Sequence, residues 1–147
     1  MPTAAVRSTV HVLMVDDNQL GLQARKAVLE EHGYVVTATG SAEAALDLLQ
    51  TGQAKFDILI TDFRLPAKTG TDLINEVRAT KLPLVTVLLS GFVDAMGLNE
   101  TNTGADAVLQ KSSLEVPHLI RTLRSLQRRR KPMNDAGPAT PAKRKPA

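Results

Sequence analysis

Five short apolar runs, each followed by a polar or amphipathic stretch, organise this chain. They are Val10–Val15, Tyr34–Thr39, Phe56–Thr61, Leu84–Leu89 and Ala107–Gln110. Runs this short and this continuously apolar read as parallel strands buried on both faces. The stretches between them read as helices. The first follows Asp17-Asn18 with a stripe of Leu20, Ala24, Ala27 and Val28, and Gly33 closes it. Ser41 is positioned to cap a second helix, whose stripe is Ala42, Ala45, Leu46 and Leu49 and whose end is Gly52. Pro66 and Gly70 punctuate a loop before a third helix faced by Leu73, Ile74 and Val77, and Pro83 marks entry into the fourth strand. Phe92–Thr103 is the weakest helical stretch, because Gly97, Asn99, Thr101, Asn102 and Thr103 favour helix poorly. The last helix carries Leu119, Ile120, Leu123 and Leu126, with Pro117 tolerated in its first turn. Strands and helices alternating at this spacing predict βαβ crossovers, hence an α/β domain with a parallel sheet and helices on both faces.

Composition narrows the picture. At 147 residues, 43% apolar and 22% charged, the chain reads as one globular domain, and with no Trp its core must be aliphatic. The absence of cysteine excludes disulfides, thiolate metal sites and thiol catalysis. No run approaches the ~20 apolar residues that span a bilayer, and no signal-peptide core is present, so a cytoplasmic location without a membrane partner is expected. Charge is uneven. Residues 1–127 carry 11 Lys/Arg against 14 Asp/Glu, whereas residues 128–147 carry 7 against one. The expected organisation is a loose N-terminus (1–8), a domain (9–127) and a basic tail (128–147) too poor in apolar residues to offset the entropy of ordering.

The chemistry lies where the runs end. Asp16-Asp17, Asp62, Ser90 and Lys111 each stand at a strand exit. Open α/β sheets bind ligands outside the carboxyl ends of their strands, so these groups are expected to converge. Three carboxylates together repel one another and call for a cation. Mg²⁺ suits them, since it prefers oxygen ligands and keeps several waters. His11, His32 and His118 are scattered and read as ordinary surface or structural residues, and no P-loop or dinucleotide fingerprint occurs.

The pieces V-D-D-N (Val15–Asn18), D-F-R-L-P-A-K-T-G (Asp62–Gly70), L-S-G (Leu89–Gly91) and Q-K (Gln110-Lys111), in this order, resemble the receiver domain of two-component response regulators, the single-domain chemotaxis type included. The likeness covers roughly residues 10 to 127. It implies a flavodoxin-like, doubly wound, five-stranded sheet in the order 2-1-3-4-5. It also implies that Asp62 is the phosphoacceptor, with Asp17, Asp62 and the backbone carbonyl of Arg64 as Mg²⁺ ligands and Asp16 acting through water. Ser90, Lys111 and the amides of Phe63 and Gly91 would contact the phosphoryl group. Arg64 and Phe92 fall at positions that tune acyl-phosphate lifetime. The partners implied are a histidine kinase or phosphotransfer protein as donor and a downstream protein as target. Such a domain is not an enzyme in the usual sense; it promotes its own phosphorylation and dephosphorylation.

Two departures stand out. Where the family's switch pairs Ser90 with an aromatic residue, this chain has Val108, and where a cis-proline usually follows the lysine it has Ser112. A cis bond before Ser112 would cost about 2.5–4 kcal/mol, so the loop is either strained or differently routed. The reading is therefore a stand-alone receiver. The alternatives are a degenerate receiver that docks without phosphorylation, and nucleic-acid binding through the basic tail alone.

Overall fold

The structure, a computed structural model, describes residues 9–52, 55–112 and 115–136. Five strands form one parallel sheet in the order β2-β1-β3-β4-β5, as the resemblance implies: β1 His11–Val15, β2 Val35–Thr39, β3 Ile58–Thr61, β4 Val85–Ser90 and β5 Ala107–Gln110. Between and after them lie α1 Gln19–Glu31, α2 Ala42–Thr51, α3 Gly70–Ala79, α4 Val93–Met96, α5 Glu100–Thr103 and α6 Glu115–Ala136. The expected strands begin one or two residues early at four of the five, because apolar residues such as Phe56 enter the core ahead of the first ladder pairing.

The continuous apolar runs have a direct cause. Along β1, Val12 and Met14 face α1 and α6, whereas Leu13 and Val15 face α2 and α3. Both faces are covered, so neither set of alternate positions can be polar. The two clusters divide the helices cleanly. Leu22 and Leu29 of α1 join Leu119, Ile120, Leu123 and Leu126 of α6 on one face, and Ala42, Ala45, Leu49, Leu73, Ile74 and Val77 of α2 and α3 form the other. Each such leucine or isoleucine removed from water contributes about 1.5–3 kcal/mol. Tyr34 closes the first cluster at its edge: its hydroxyl donates to Gln127 Oε1 at 2.8 Å. Burial pushes the Tyr34 phenol pKa up, and the Arg124 charge offsets part of that rise.

Three expectations need correction. The stripe Leu20, Ala24, Ala27 and Val28 is not the inner face of α1; Leu20 is 86% exposed, and the buried positions are Leu22, Arg25 and Leu29. A charged residue in the middle of the true stripe hid it. The weak helix Phe92–Thr103 is two separate turns, split where Gly97 adopts a left-handed conformation (φ 62°) and Asn99 caps the second. Finally, α6 runs on to Ala136, so the composition change at Arg128 is not the end of the helix. The expected loose N-terminus (1–8) and the tail from residue 137 onward lie outside the described residues.

Candidate functional site

Parallel strands all deliver their carboxyl ends to one edge of the sheet. There β1 supplies Asp16 and Asp17, the central β3 supplies Asp62, β4 ends on Ser90, and Lys111 follows β5. Carboxylate oxygens of Asp16, Asp17 and Asp62 lie within 4.8 Å of one another. Lys111 Nζ reaches across the sheet between them, 2.7 Å from Asp16 Oδ2 and 3.2 Å from Asp62 Oδ2. Asp16 is buried, Asp62 partly so, and Asp17 faces solvent. The donor set is entirely oxygen and carries excess negative charge beside an open side, which fits a hard divalent ion such as Mg²⁺.

Local backbone chemistry fixes the acceptor loop. Asp62 Oδ1 accepts from the Phe63 amide at 2.7 Å, and the Asp62 carbonyl accepts from the Thr61 hydroxyl at 2.9 Å. The loop beyond folds back on itself: the Gly70 amide donates to the Phe63 carbonyl at 2.7 Å, and Arg64 pairs with Thr69 in an isolated antiparallel bridge. A Cβ at position 70 would collide with the Asp62 carbonyl oxygen, so only glycine permits this closure. Thr69 then opens α3 through a capping box with Asp72. Ala67 sits at φ 71° within this loop, a left-handed conformation unusual for a residue with a Cβ.

Ser90 is fully buried, and its hydroxyl oxygen accepts from the Phe92 amide at 3.1 Å. The guanidinium of Arg64 lies over the Phe92 ring, 4.4 Å from its centroid, which joins the two positions read as tuning residues. Gly91, next to Ser90, offers its carbonyl to Gln110 Nε2 at 3.1 Å, while Gln110 Oε1 accepts from the Asp94 amide at 2.8 Å. Val108 is half-buried, with its amide donating to Glu100 Oε2 at 3.1 Å. The Lys111–Ser112 bond is trans, so the loop takes a different route rather than a cis turn. In place of proline, Ser112 and Glu115 hold each other: the Ser112 amide donates to Glu115 Oε1 at 3.2 Å, and the Glu115 amide donates to the Ser112 carbonyl at 3.1 Å.

Two residues of the site escaped sequence reasoning. Arg25 Nη2 lies 2.6 Å from Asp16 Oδ2, and Arg25 Nη1 lies 2.8 Å from Glu115 Oε2. Removing one member of an ion pair this buried costs about 3–5 kcal/mol, because the other charge is left without a partner. The signal that could have found Arg25 is its spacing. It falls three residues after Leu22 and four before Leu29, where the 3.6 period demands an inward side chain.

An acidic cluster with a bridging lysine stands at the carboxyl edge of a 2-1-3-4-5 parallel sheet, in a doubly wound α/β domain. The family described as response regulator receiver domain matches residues 12–124, and the chain belongs to it. The Arabidopsis thaliana two-component response regulator ARR10 is 35% identical over 85 residues, 58% of this chain and 15% of that protein. The aerobic respiration control sensor protein ArcB of Escherichia coli K12 is 32% identical over 115 residues, 75% of this chain and 14% of that protein. The chain thus spans a small part of the length of either relative. Among solved structures, the CheY-like receiver domain from Methylobacillus flagellatus is 28% identical, with a TM-score of 0.68 over 81% of this chain and 99% of that one. Response regulator TrrA from Thermotoga maritima, solved in complex with Mg²⁺-BeF, shares the fold at 24% identity, with a TM-score of 0.69 over 80% and 99%. No helix among the described residues is long and apolar enough to cross a membrane.

Proposed function

We propose that this receiver domain accepts a phosphoryl group on Asp62 from a phosphohistidine of a histidine kinase or phosphotransfer protein. The observation that carries the reading is Lys111 Nζ poised between Asp62 and Asp16, with Asp17 oxygen in the same cage. An Asp62 carboxylate oxygen bonds to phosphorus as the P–N bond to the donor imidazole, protonated on its other nitrogen, breaks. The electron pair of that bond leaves with the ring, which ends as neutral imidazole. The product is an acyl phosphate. Phosphoryl transfer asks the protein chiefly for positioning and charge neutralisation. Asp17, Asp62 and the Arg64 carbonyl would hold Mg²⁺, with Asp16 behind them. A bound Mg²⁺ supplies part of the positive charge that the phosphoryl oxygens need. Lys111 supplies the rest, and the Ser90 hydroxyl and the Phe63 and Gly91 amides are the hydrogen-bond donors for those oxygens. Output passes to a downstream protein through the surface beside Ser90.

Incubation with acetyl phosphate and Mg²⁺ followed by intact-mass analysis tests the assignment. Wild type is expected to gain one phosphate and Asp62→Asn none. An adduct on Asp62→Asn would remove Asp62 from the role, and an unmodified wild type would favour the docking-module alternative.

A further inference from the structure

Arg25 occupies a core position of α1, with its side chain 9% exposed, where Leu22 and Leu29 on the same stripe are apolar. Space for it has been made. Gly21 lies one turn earlier, and a Cβ there would stand 3.1 Å from Nη2 and 3.3 Å from Nη1. Glycine inside a helix is unfavourable relative to alanine, so its presence beneath the guanidinium is consistent with the demand of the ion pair. The partners of Arg25 then extend in two directions. Asp16 leads into the acid cage, and Glu115 leads, through its bonds with Ser112, to the loop that carries Lys111.

We propose that Arg25 is a positioning residue of the acid site: a fixed internal cation that holds Asp16 back from direct metal ligation and, balanced by Glu115, sets how tightly Asp17 and Asp62 bind a divalent ion. The inference rests on the reading of this cage as a cation and phosphoryl site. Asp16 is already engaged on both oxygens. Oδ2 accepts from Arg25 and Lys111 at 2.6 and 2.7 Å, and Oδ1 accepts from the Asn18 amide at 2.9 Å. Asp17 is exposed, and among the described residues the Asp62 carboxylate is held by Lys111 and the Phe63 amide. The doubling of cations on Asp16 also has a use. When Lys111 turns to the phosphoryl oxygens, Arg25 stays, so Asp16 is never left buried and unpaired.

The charges make the proposal testable by sign. Asp16, Asp17, Asp62 and Glu115 face Arg25 and Lys111. Removing Arg25 leaves the cage more negative, and removing Glu115 leaves it more positive. One unit charge several Å from a divalent ion shifts its affinity about tenfold even at a solvent-like dielectric. Calorimetric titration of the full chain with MgCl₂ should therefore show binding about tenfold tighter for Arg25→Gln and, because Glu115 lies on the far side of Arg25 from the cage, about fourfold weaker for Glu115→Gln, with the double variant between the two. A residue with a merely structural role would weaken binding in both single variants, and that result overturns the proposal, as does unchanged affinity in both or no Mg²⁺ binding by any variant. Should Arg25→Gln fail to fold, Glu115→Gln in the first turn of α6 still decides: tighter or unchanged binding refutes the inference. The Asp62 reading stands or falls separately, on the mass adduct of the wild-type chain.

Discussion

The two sides of the acid site are built differently. On the β1 side, Asp16 is buried beneath α1 and tied to Arg25, Lys111 and the Asn18 amide, and Arg25 is tied in turn to Glu115 at the start of α6. On the β4 side, Ser90 leads into two four-residue helices, of which α4 buries no side chain and α5 buries only Thr103. Helices this short are marginal in isolation, because nucleation is costly and few hydrogen bonds follow it. What holds them is largely side chain to backbone: Gln110 to Gly91 and Asp94, Glu100 to Val108, and Asn102 to Gly97 and Asn99. Few buried contacts and exposed hydrogen bonds mark a segment of low local stability. A group attached to Asp62 would thus meet a stiff wall on one side and a compliant one on the other, and a change in charge there would be transmitted through the compliant one.

The largest effect expected is at Gly70, which closes the acceptor loop of the central strand β3, between the two sides. Gly70→Ala forces a Cβ into the Asp62 carbonyl, and overpacking of this kind costs about 1–3 kcal/mol. Urea unfolding should show a lower midpoint with an unchanged slope. A midpoint equal to wild type would mean that the loop from Asp62 to Gly70 yields freely. Asn99→Ala is the counterpart on the compliant side. It removes the side chain that accepts from the Asn102 amide, a capping loss of about 1 kcal/mol. Because the segment opens on its own, the loss should appear as faster amide exchange in residues 100–103 with little change in global stability. A fall in global stability as large as that of Gly70→Ala would erase the distinction between the two sides.

Legibility in the sequence followed the same division. The strands and Asp16, Asp17, Asp62, Ser90 and Lys111 were readable because a doubly covered parallel sheet imposes continuous apolar runs, and the run ends mark the site edge. The stripe of α1 was misread for a physical reason. A charge at position 25 breaks the apolar stripe that runs from Leu22 to Leu29, although the spacing points inward, and its partners Asp16 and Glu115, distant by 9 and 90 positions, are what allow it to be buried there. The Ser112–Glu115 pair that stands in for a cis-proline turn was invisible too, since the pattern showed only a missing proline. Val108 was legible as a departure. Its restricted χ1 and small size give it no swing between buried and exposed positions, so the switch cannot run through an aromatic rotamer.

Peptide-resolved hydrogen exchange of wild type and Asp62→Asn, each with Mg²⁺ and with or without acetyl phosphate, distinguishes this route from others. Moving a two-state segment from mostly one form to mostly the other takes several kcal/mol of differential interaction. On the proposed route, a charge-assisted hydrogen bond from Ser90 would contribute part of that, and a shift of Lys111 with loop repacking would contribute the remainder. Wild type alone is expected to respond, with altered exchange in Gly91–Thr103 and little change around Val108 or along α1. Changes confined to α6 with residues 91–103 silent, or the same response in Asp62→Asn, would contradict it.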